Sequence, residues 1–428
     1  MYFFYSVLLA CAALLTLPWW VIQMLRHGKY RTGLPERLGR VPERLAGARQ
    51  GSIWIHAVSV GEVLAVSQLV TQLRSIYPGK TIFVSTTTLT GQRLARERFG
   101  NEHCFFMPLD FGFAVRPYLR LLKPQMLILA ETEFWPNLLH LAKKEHVAVA
   151  VVNARISDRS FPRYRKFRAF FARALAPVDL FLAQTADDAA RLREIGAPAA
   201  RVQVSGNLKF DVRPVTGLRL ANDIRSVLGP DSPVVVCGST AEGEEEPLLS
   251  AYKAVRAKFP SAVMVLAPRH PERFDRVAAM VTASGEKLVR RSTWTPPASL
   301  AGNVFLLDTV GELASIYSVA EIAFVGGSLV PGGGHNILEP AQHGAAILVG
   351  PHTFNFREIV GLFEQGGALR VVNAETLGQT QLSLLQNPEE RWRIGQQARV
   401  LFAQHAGATQ RTLHALRPFL EGPAGAKQ

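Results

Sequence analysis

Cysteine is almost missing from this chain. Cys11, Cys104 and Cys237 are the only three in 428 residues. An odd, scattered set with no C-x-x-C pair argues against a disulfide scaffold and fits a reduced compartment. A Walker A sequence is absent, and no G-x-G-x-x-G stands between a strand and a helix. Both absences weaken a P-loop ATPase or dinucleotide dehydrogenase reading. Neither an internal repeat nor a low-complexity tract stands out. Acidic residues are the minority: 34 Asp and Glu against 48 Lys and Arg leave a net charge of +14. Such a surplus suits nucleic acid, anionic lipid or an acidic substrate, and it is silent on fold.

From Met1 to Leu25, "MYFFYSVLLACAALLTLPWWVIQML", no side chain is charged. As a helix rising about 1.5 Å per residue, this stretch is long enough for about 30 Å of hydrocarbon. Arg26, His27, Lys29 and Arg31 follow, and Trp19 and Trp20 sit where an interfacial belt belongs. The expectation is a single transmembrane signal-anchor over 1–25, with the positive-inside rule placing the body in the cytoplasm. A cleaved signal peptide would have a basic start, a shorter apolar core and a small-residue cleavage site. Pro18 keeps a second form of the segment open, one lying in the membrane interface.

Beyond the anchor, short apolar runs alternate with helical patterns. Strand candidates are 52–59, 81–88, 126–131 and 147–153, then 233–240, 261–270, 303–309, 321–327 and 345–350. Such alternation predicts βαβ units and mostly parallel sheets. Glycines and prolines at Gly206, Pro214, Gly229 and Pro230 interrupt the pattern. The chain therefore reads as two α/β domains, 26–212 and 213–428, with the junction near 206–230. Open parallel sheets bind ligands beyond the carboxyl ends of their strands.

Four groups of residues stand at such ends. In "HAVSVGE" (56–62), Gly61 is expected to let the chain turn. Glu62 then either complements a helix dipole or serves as a general base. In "LAETEFWPN" (129–137), Glu131 and Glu133 follow an apolar strand, where a charge needs solvent or a partner. The alternative is a plain helix start at Thr132, Trp135 and Pro136. "SGNLKFD" (205–211) brings Lys209 to the domain junction, either solvated or aimed at a ligand. The fourth group joins "APRHPERF" (267–274), "DTVGEL" (308–313) and "GGSLVPGGGHNILEPAQHG" (326–344), whose last stretch holds six glycines. Arg269 and His270 can meet an anion, and the glycines permit close backbone approach at a helix start. Glu339 can accept both hydroxyls of a ribose, or Asn336 caps a helix with Glu339 as its capping-box partner.

"NARISDRSFPRYRKFRAFFARAL" (153–175) interleaves Arg155, Arg159, Arg163, Arg165, Lys166, Arg168 and Arg173 with Phe161, Tyr164, Phe167, Phe170 and Phe171. Nucleic acid is one reading. Next to a membrane anchor, anionic headgroups are the more economical one.

The ordered set "HAVSVGE", "AETEFWPN", "NARISDRS", "GNLKFD", "APRHPERF" and "GGGHNILEPAQHG", behind an uncharged start, closely resembles the bacterial 3-deoxy-D-manno-octulosonic acid (Kdo) transferases of lipopolysaccharide assembly. The resemblance runs over nearly the whole chain. It implies a GT-B fold, two Rossmann-like domains around a cleft, with the acceptor on the first and the nucleotide sugar on the second. It also implies inverting transfer of Kdo from CMP-Kdo to the tetraacyl-disaccharide precursor of lipid A (lipid IVA). Glu62 matches the family's proton acceptor, and Glu131 and Lys209 match positions of transition-state stabilisation. Arg269, His270, Val310, Gly311, Glu312, Asn336, Ile337, Leu338 and Glu339 match stretches that hold CMP. The implied setting is the inner membrane, with no metal or cofactor, anionic lipids as neighbours and no nucleic acid as partner. Competing readings are a GT-B transferase using a UDP-sugar on a lipid-linked acceptor, and a non-catalytic binding protein tethered to the membrane.

Overall fold

A computed structural model describes residues 1–27, 32–45, 51–211, 219–229 and 231–421. The chain divides into two compact units, one of Met1–Asp211 joined by the chain from Ala406 onward, the other Val212–His405. Pro214 and Pro230 of the expected junction lie outside the described residues, as do Lys29 and Arg31 of the expected basic flank.

The first unit is built on β1 (Ser52–His56), β2 (Ile82–Thr86), β3 (Cys104–Phe106), β4 (Pro124–Ala130), β5 (Ala148–Ala154), β6 (Leu180–Ala183) and β7 (Val202–Val204). They pair in parallel in the order β3-β2-β1-β4-β5-β6-β7. Both faces are covered, so the strands read as continuous apolar runs rather than alternating ones. Trp54, Leu127 and Leu129 face one core, while Ile53, Ile55, Met126 and Ile128 face the other. The strand order reverses between β1 and β4, and that switch point is where such sheets leave a crevice.

The second unit repeats the plan. Its strands are β8 (Val234–Thr240), β9 (Val263–Pro268), β10 (Leu288–Arg290), β11 (Val304–Leu306), β12 (Ile322–Val325), β13 (Ala346–Val349) and β14 (Leu369–Val371). Their order is β10-β11-β9-β8-β12-β13-β14, again parallel, with the reversal between β8 and β12. The expected pair of Rossmann-like α/β domains is thus observed.

Two expectations need correction. The C-terminal helix Ala408–Glu421 belongs to the first unit, although the sequence assigned it to the second. Its Leu413, Leu416 and Leu420 complete the core that holds Ile53 and Ile55. Burying each leucine is worth about 1.5–3 kcal/mol, enough to fix the helix there. Polar contacts add to this: Arg411 Nε donates to the Ser205 carbonyl at 2.7 Å, and Gln125 Nε2 to that of Phe419 at 2.8 Å.

The second correction concerns the N-terminus. A helix does form over Tyr2–His27, with Pro18 inside it. Among the described residues, however, no helix is long and apolar enough to cross a membrane, so a spanning anchor is not supported. One side of this helix is engaged by the first unit. Tyr2 stacks on His140 at 3.9 Å between ring centroids, Tyr5 meets Phe170, and Asn137 Nδ2 donates to Ser6 Oγ at 3.0 Å. Phe3, Phe4, Val7, Leu8, Leu14, Leu15 and Leu17 are exposed.

The basic and aromatic stretch also differs from expectation. Phe161, Tyr164 and Phe171 pack against the core, which leaves Phe167 as the exposed ring. Arg163, Arg165, Lys166, Arg168 and Arg173 stay on the surface. All three cysteines are free thiols.

Candidate active site

In the first unit, the carboxyl ends of β1 and β4 carry the chemistry. The helix Val60–Ile76 starts directly after β1, with Ser59 as its N-cap accepting from the Glu62 N–H. Glu62 replies: its Oε2 accepts from the Val58 N–H at 2.9 Å and its Oε1 from the Ser59 hydroxyl at 3.1 Å. So Glu62 does sit in the first helical turn, where the dipole reading put it. Capping does not leave the carboxyl an ordinary surface group, because Glu62 is buried at 8% exposure. Burial pushes its pKa up to about 7; the Val58 N–H opposes this, and the Glu131 and Glu133 carboxylates add to it. A carboxyl titrating there suits general-base work near neutrality. Gly61 does not make the turn expected of it. It lies in the first helical turn, and a Cβ there would have its nearest neighbour, Ser59 Oγ, at 3.9 Å.

Glu131 follows β4 with a left-handed backbone, φ 57°. Lys209 Nζ donates to its Oε1 at 3.1 Å, with both side chains about a quarter exposed. The structure therefore brings Glu131 and Lys209 together. Glu133 is a neighbour the motif reading left without a role. Burial lifts its pKa to about 7, with the Glu131 charge adding to the shift. His56 of the first motif is a core residue, fully buried, with Nδ1 at 2.9 Å from Ser85 Oγ and 3.1 Å from its carbonyl. Burial lowers its pKa to about 4, so it stays neutral at pH 7.

In the second unit, the switch point between β8 and β12 holds the glycine loop. Glu244, which sequence reasoning missed, is wholly buried and organises it. Its carboxylate accepts from the backbone N–H groups of Gly327, Ser328, Leu329 and Ala241 at 2.7–2.9 Å. Gly327, Gly333 and Gly334 have φ of 68°, 90° and 76°. A Cβ on Gly327 would meet His335 at 2.9 Å, so the loop packs as tightly as its glycines allow.

Asn336 Oδ1 accepts from the Leu338 N–H at 3.1 Å, but the N-cap of the short helix after this loop is Ile337, so Asn336 does not cap it as one reading expected. That helix, Leu338–His343, has only six residues, too short to provide a dipole site of its own. Ile337 and Leu338 are core residues at 0% exposure and can offer a ligand only their backbone. Glu339 has its pKa raised by burial, opposed by Asn336 and by the Arg269 charge. His335 is pushed down to about 4 by burial and by the charges of Arg269 and His270. These five groups share one neighbourhood, while the Arg269 and His270 side chains stay exposed. The "VGE" loop presents Val310, 79% exposed, beside Gly311 with φ 92°. Glu312 is occupied by Arg291 Nη2 at 2.9 Å and by the Thr309 hydroxyl.

Comparison with known proteins shows the family. A family model described as 3-deoxy-D-manno-octulosonic-acid transferase (kdotransferase) matches residues 32–212. A 3-deoxy-D-manno-octulosonic acid transferase from Haemophilus influenzae is 37% identical over 423 residues, 98% of this chain and 99% of that one. The chain belongs to this transferase family. A member from Bordetella pertussis is likewise 37% identical over 426 residues, covering 96% of this chain and 98% of its own length. A Kdo transferase is a glycosyltransferase, so the chain is an enzyme of that class. A UDP-GlcNAc 2-epimerase from Neisseria meningitidis superposes with a TM-score of 0.51 at 13% identity, covering 86% of this chain and 99% of that one. That likeness shows the fold alone.

Proposed function

We propose that this Kdo transferase, of GT-B type, moves Kdo from CMP-Kdo to a sugar hydroxyl of the tetraacylated lipid A precursor (lipid IVA), with inversion at the anomeric carbon. The observation that carries the reading is the buried Glu62 carboxyl, titrating at about 7 beyond β1, with the Lys209–Glu131 pair beyond the neighbouring strand β4. Ionised Glu62 takes the proton of the acceptor hydroxyl. The alkoxide oxygen bonds to the anomeric carbon as the bond to the CMP phosphate breaks, and that electron pair leaves on the phosphate. Proton removal by a placed carboxylate is typically worth about 10²–10⁴-fold. Lys209 offsets developing negative charge without a metal or other cofactor.

The glycine loop gripped by Glu244 and the exposed "VGE" tip support CMP binding, with Glu339 on the ribose hydroxyls. Residues Asn336 to Leu338 would contribute mainly backbone groups. The helix Tyr2–His27 supports seating at the surface of the inner membrane. Its docked side faces the protein and its exposed phenylalanines and leucines face lipid, while the arginines of 163–173 attract anionic headgroups. The excess positive charge suits a phosphorylated lipid and an acidic sugar, and no nucleic-acid partner is needed to account for it.

The test is to incubate the full chain with a tetraacylated disaccharide acceptor and CMP-Kdo made in situ, then weigh the lipid. A gain of one or more Kdo masses, inhibited by CMP more than by UDP, is expected. A folded, CMP-binding protein that adds no mass would overturn the acceptor, and stronger inhibition by UDP would overturn the donor.

A further inference from the structure

Two strand ends in the first unit bend in the same unusual way. The parallel register pairs Leu129 with Val151 and Ala130 with Val152, so the next residues, Glu131 and Asn153, stand opposite each other. The Glu131 N–H donates to the Val152 carbonyl at 2.9 Å, which fixes the pairing. Their φ angles are 57° and 54°. Residues other than glycine are uncommon in that left-handed region; asparagine enters it more readily than most and glutamate seldom, and such residues gather at functional sites.

Asn153 carries a second unfavourable feature. It is wholly buried, yet its Nδ2 has no hydrogen-bond partner. The amide cannot be turned round to cure this, because its Oδ1 accepts from the Leu208 N–H at 2.9 Å and only an oxygen can do so. Gln184 Nε2 holds the Asn153 carbonyl at 3.1 Å. A left-handed backbone and an orphaned buried donor are both destabilising, and each such exception calls for a reason.

The reason lies in what Leu208 begins. Leu208–Phe210 is a single 3-10 turn. Its outer residues are buried, Leu208 at 1% and Phe210 at 3% exposure, which leaves Lys209 between them free to point away from the core. The Lys209 N–H is held by Asn207 Oδ1 at 2.9 Å, and its Nζ reaches Glu131 at 3.1 Å. Asn153 thus ties the turn bearing the ammonium to the strand end next to the one bearing its carboxylate.

We propose that Asn153 is a positioning residue for the transfer step: by fixing the Leu208–Phe210 turn, it keeps the Lys209 ammonium at the Glu131 end of the sheet. The proposal rests on reading Lys209 as the group that offsets charge in the transition state. It gives the "NARISDRS" stretch a role at its first residue.

The experiment is a double-mutant cycle in the full chain, with CMP-Kdo made in situ and the tetraacylated acceptor. Asn153→Gly keeps the left-handed backbone available and removes only the amide. It should lower kcat at least about tenfold while both KM values stay within about threefold, the signature of an interaction lost mainly in the transition state. In a Lys209→Met background, the same change should alter the residual single-turnover rate by less than about twofold, since the two residues act as one unit. Asn207→Ala, which loosens the same turn without emptying a buried site, should show the same split and the same loss of effect. It keeps the test decisive if Asn153→Gly does not fold. Unchanged kcat in folded Asn153→Gly, or in Asn207→Ala when the glycine variant does not fold, would overturn the proposal. An equal loss in both backgrounds would do the same. Full activity in Lys209→Met alone would instead remove the reading of Lys209 on which the proposal stands.

Discussion

Lys209 and Glu131 meet at 3.1 Å, yet neither residue is in a place that favours the meeting. Glu131 adopts a left-handed backbone to be there, and Lys209 rides on a single turn. A part-buried pair gives little net folding energy, because desolvation offsets much of its attraction. Its value therefore lies in chemistry. Lys209→Met should lower kcat about 10²–10³-fold, the usual loss on removing one charge-stabilising donor, with the melting temperature nearly unchanged. A large fall in melting temperature with kcat preserved would make the pair structural.

Glu62 gives a pH dependence whose sign is set by burial. Its pKa stands at about 7 in the folded chain against a reference of 4.5. As the base must be ionised, kcat/KM should fall about tenfold per pH unit below that value. Stability moves the other way. Between pH 4.5 and about 7 the folded chain holds a proton that the unfolded chain has released, so folding weakens as pH rises through this window. Glu62→Gln, which never ionises, should match the parent near pH 4.5 and exceed it by about 1–3 kcal/mol near pH 8. Equal denaturation midpoints at both pH values would contradict the raised pKa.

The second unit makes a separate prediction. Glu339→Ala should reduce CMP affinity by about 1.5–3 kcal/mol, the scale of hydrogen bonds to a charged group. Glu244→Gln should weaken CMP binding as well, because an amide cannot accept from four backbone N–H groups as a carboxylate does. It should also destabilise the fold by about 2–4 kcal/mol. Calorimetric titration with CMP separates the two. Unchanged affinity for Glu339→Ala would leave that residue without a ribose role.

How much of this could be read from the sequence depended on length and on distance along the chain. The central strands β1, β2, β4, β5, β8 and β9 announce themselves as apolar runs, and "HAVSVGE", "AETEFWPN" and "APRHPERF" lie at the carboxyl ends of β1, β4 and β9, where the sequence put them. The edge strands β3, β7, β10 and β14 and the inner strand β6 did not, because three or four residues carry little pattern; β11, equally short, was legible from the apolar run around it. The destination of the Ala408–Glu421 helix was hidden for another reason: Leu413, Leu416 and Leu420 repeat with a period that fits any core. Glu244 reads as one acidic residue in "AEGEEE", and only the fold shows that the loop at 326–344 closes over it. The left-handed angle at Glu131 leaves no trace in residue type, whereas asparagine at 153 is one of the few residues that adopt it readily.

The exposed side of the Tyr2–His27 helix predicts lipid binding without a span. Changing Phe3 and Phe4 together to glutamate should reduce co-sedimentation with anionic vesicles about tenfold or more, and raised salt should weaken what remains. Neither residue is among those engaged by the first unit, so the fold should be kept. Unaltered sedimentation would assign that face to something other than lipid.

The most direct test of the account is the single-turnover rate of Glu62→Gln with CMP-Kdo and the tetraacylated acceptor, read as lipid mass against time beside a CMP titration. The account predicts a loss of at least about 100-fold in rate, with CMP affinity within about threefold of the parent. A variant that adds Kdo at a comparable rate would show that Glu62 is a helix cap and nothing more.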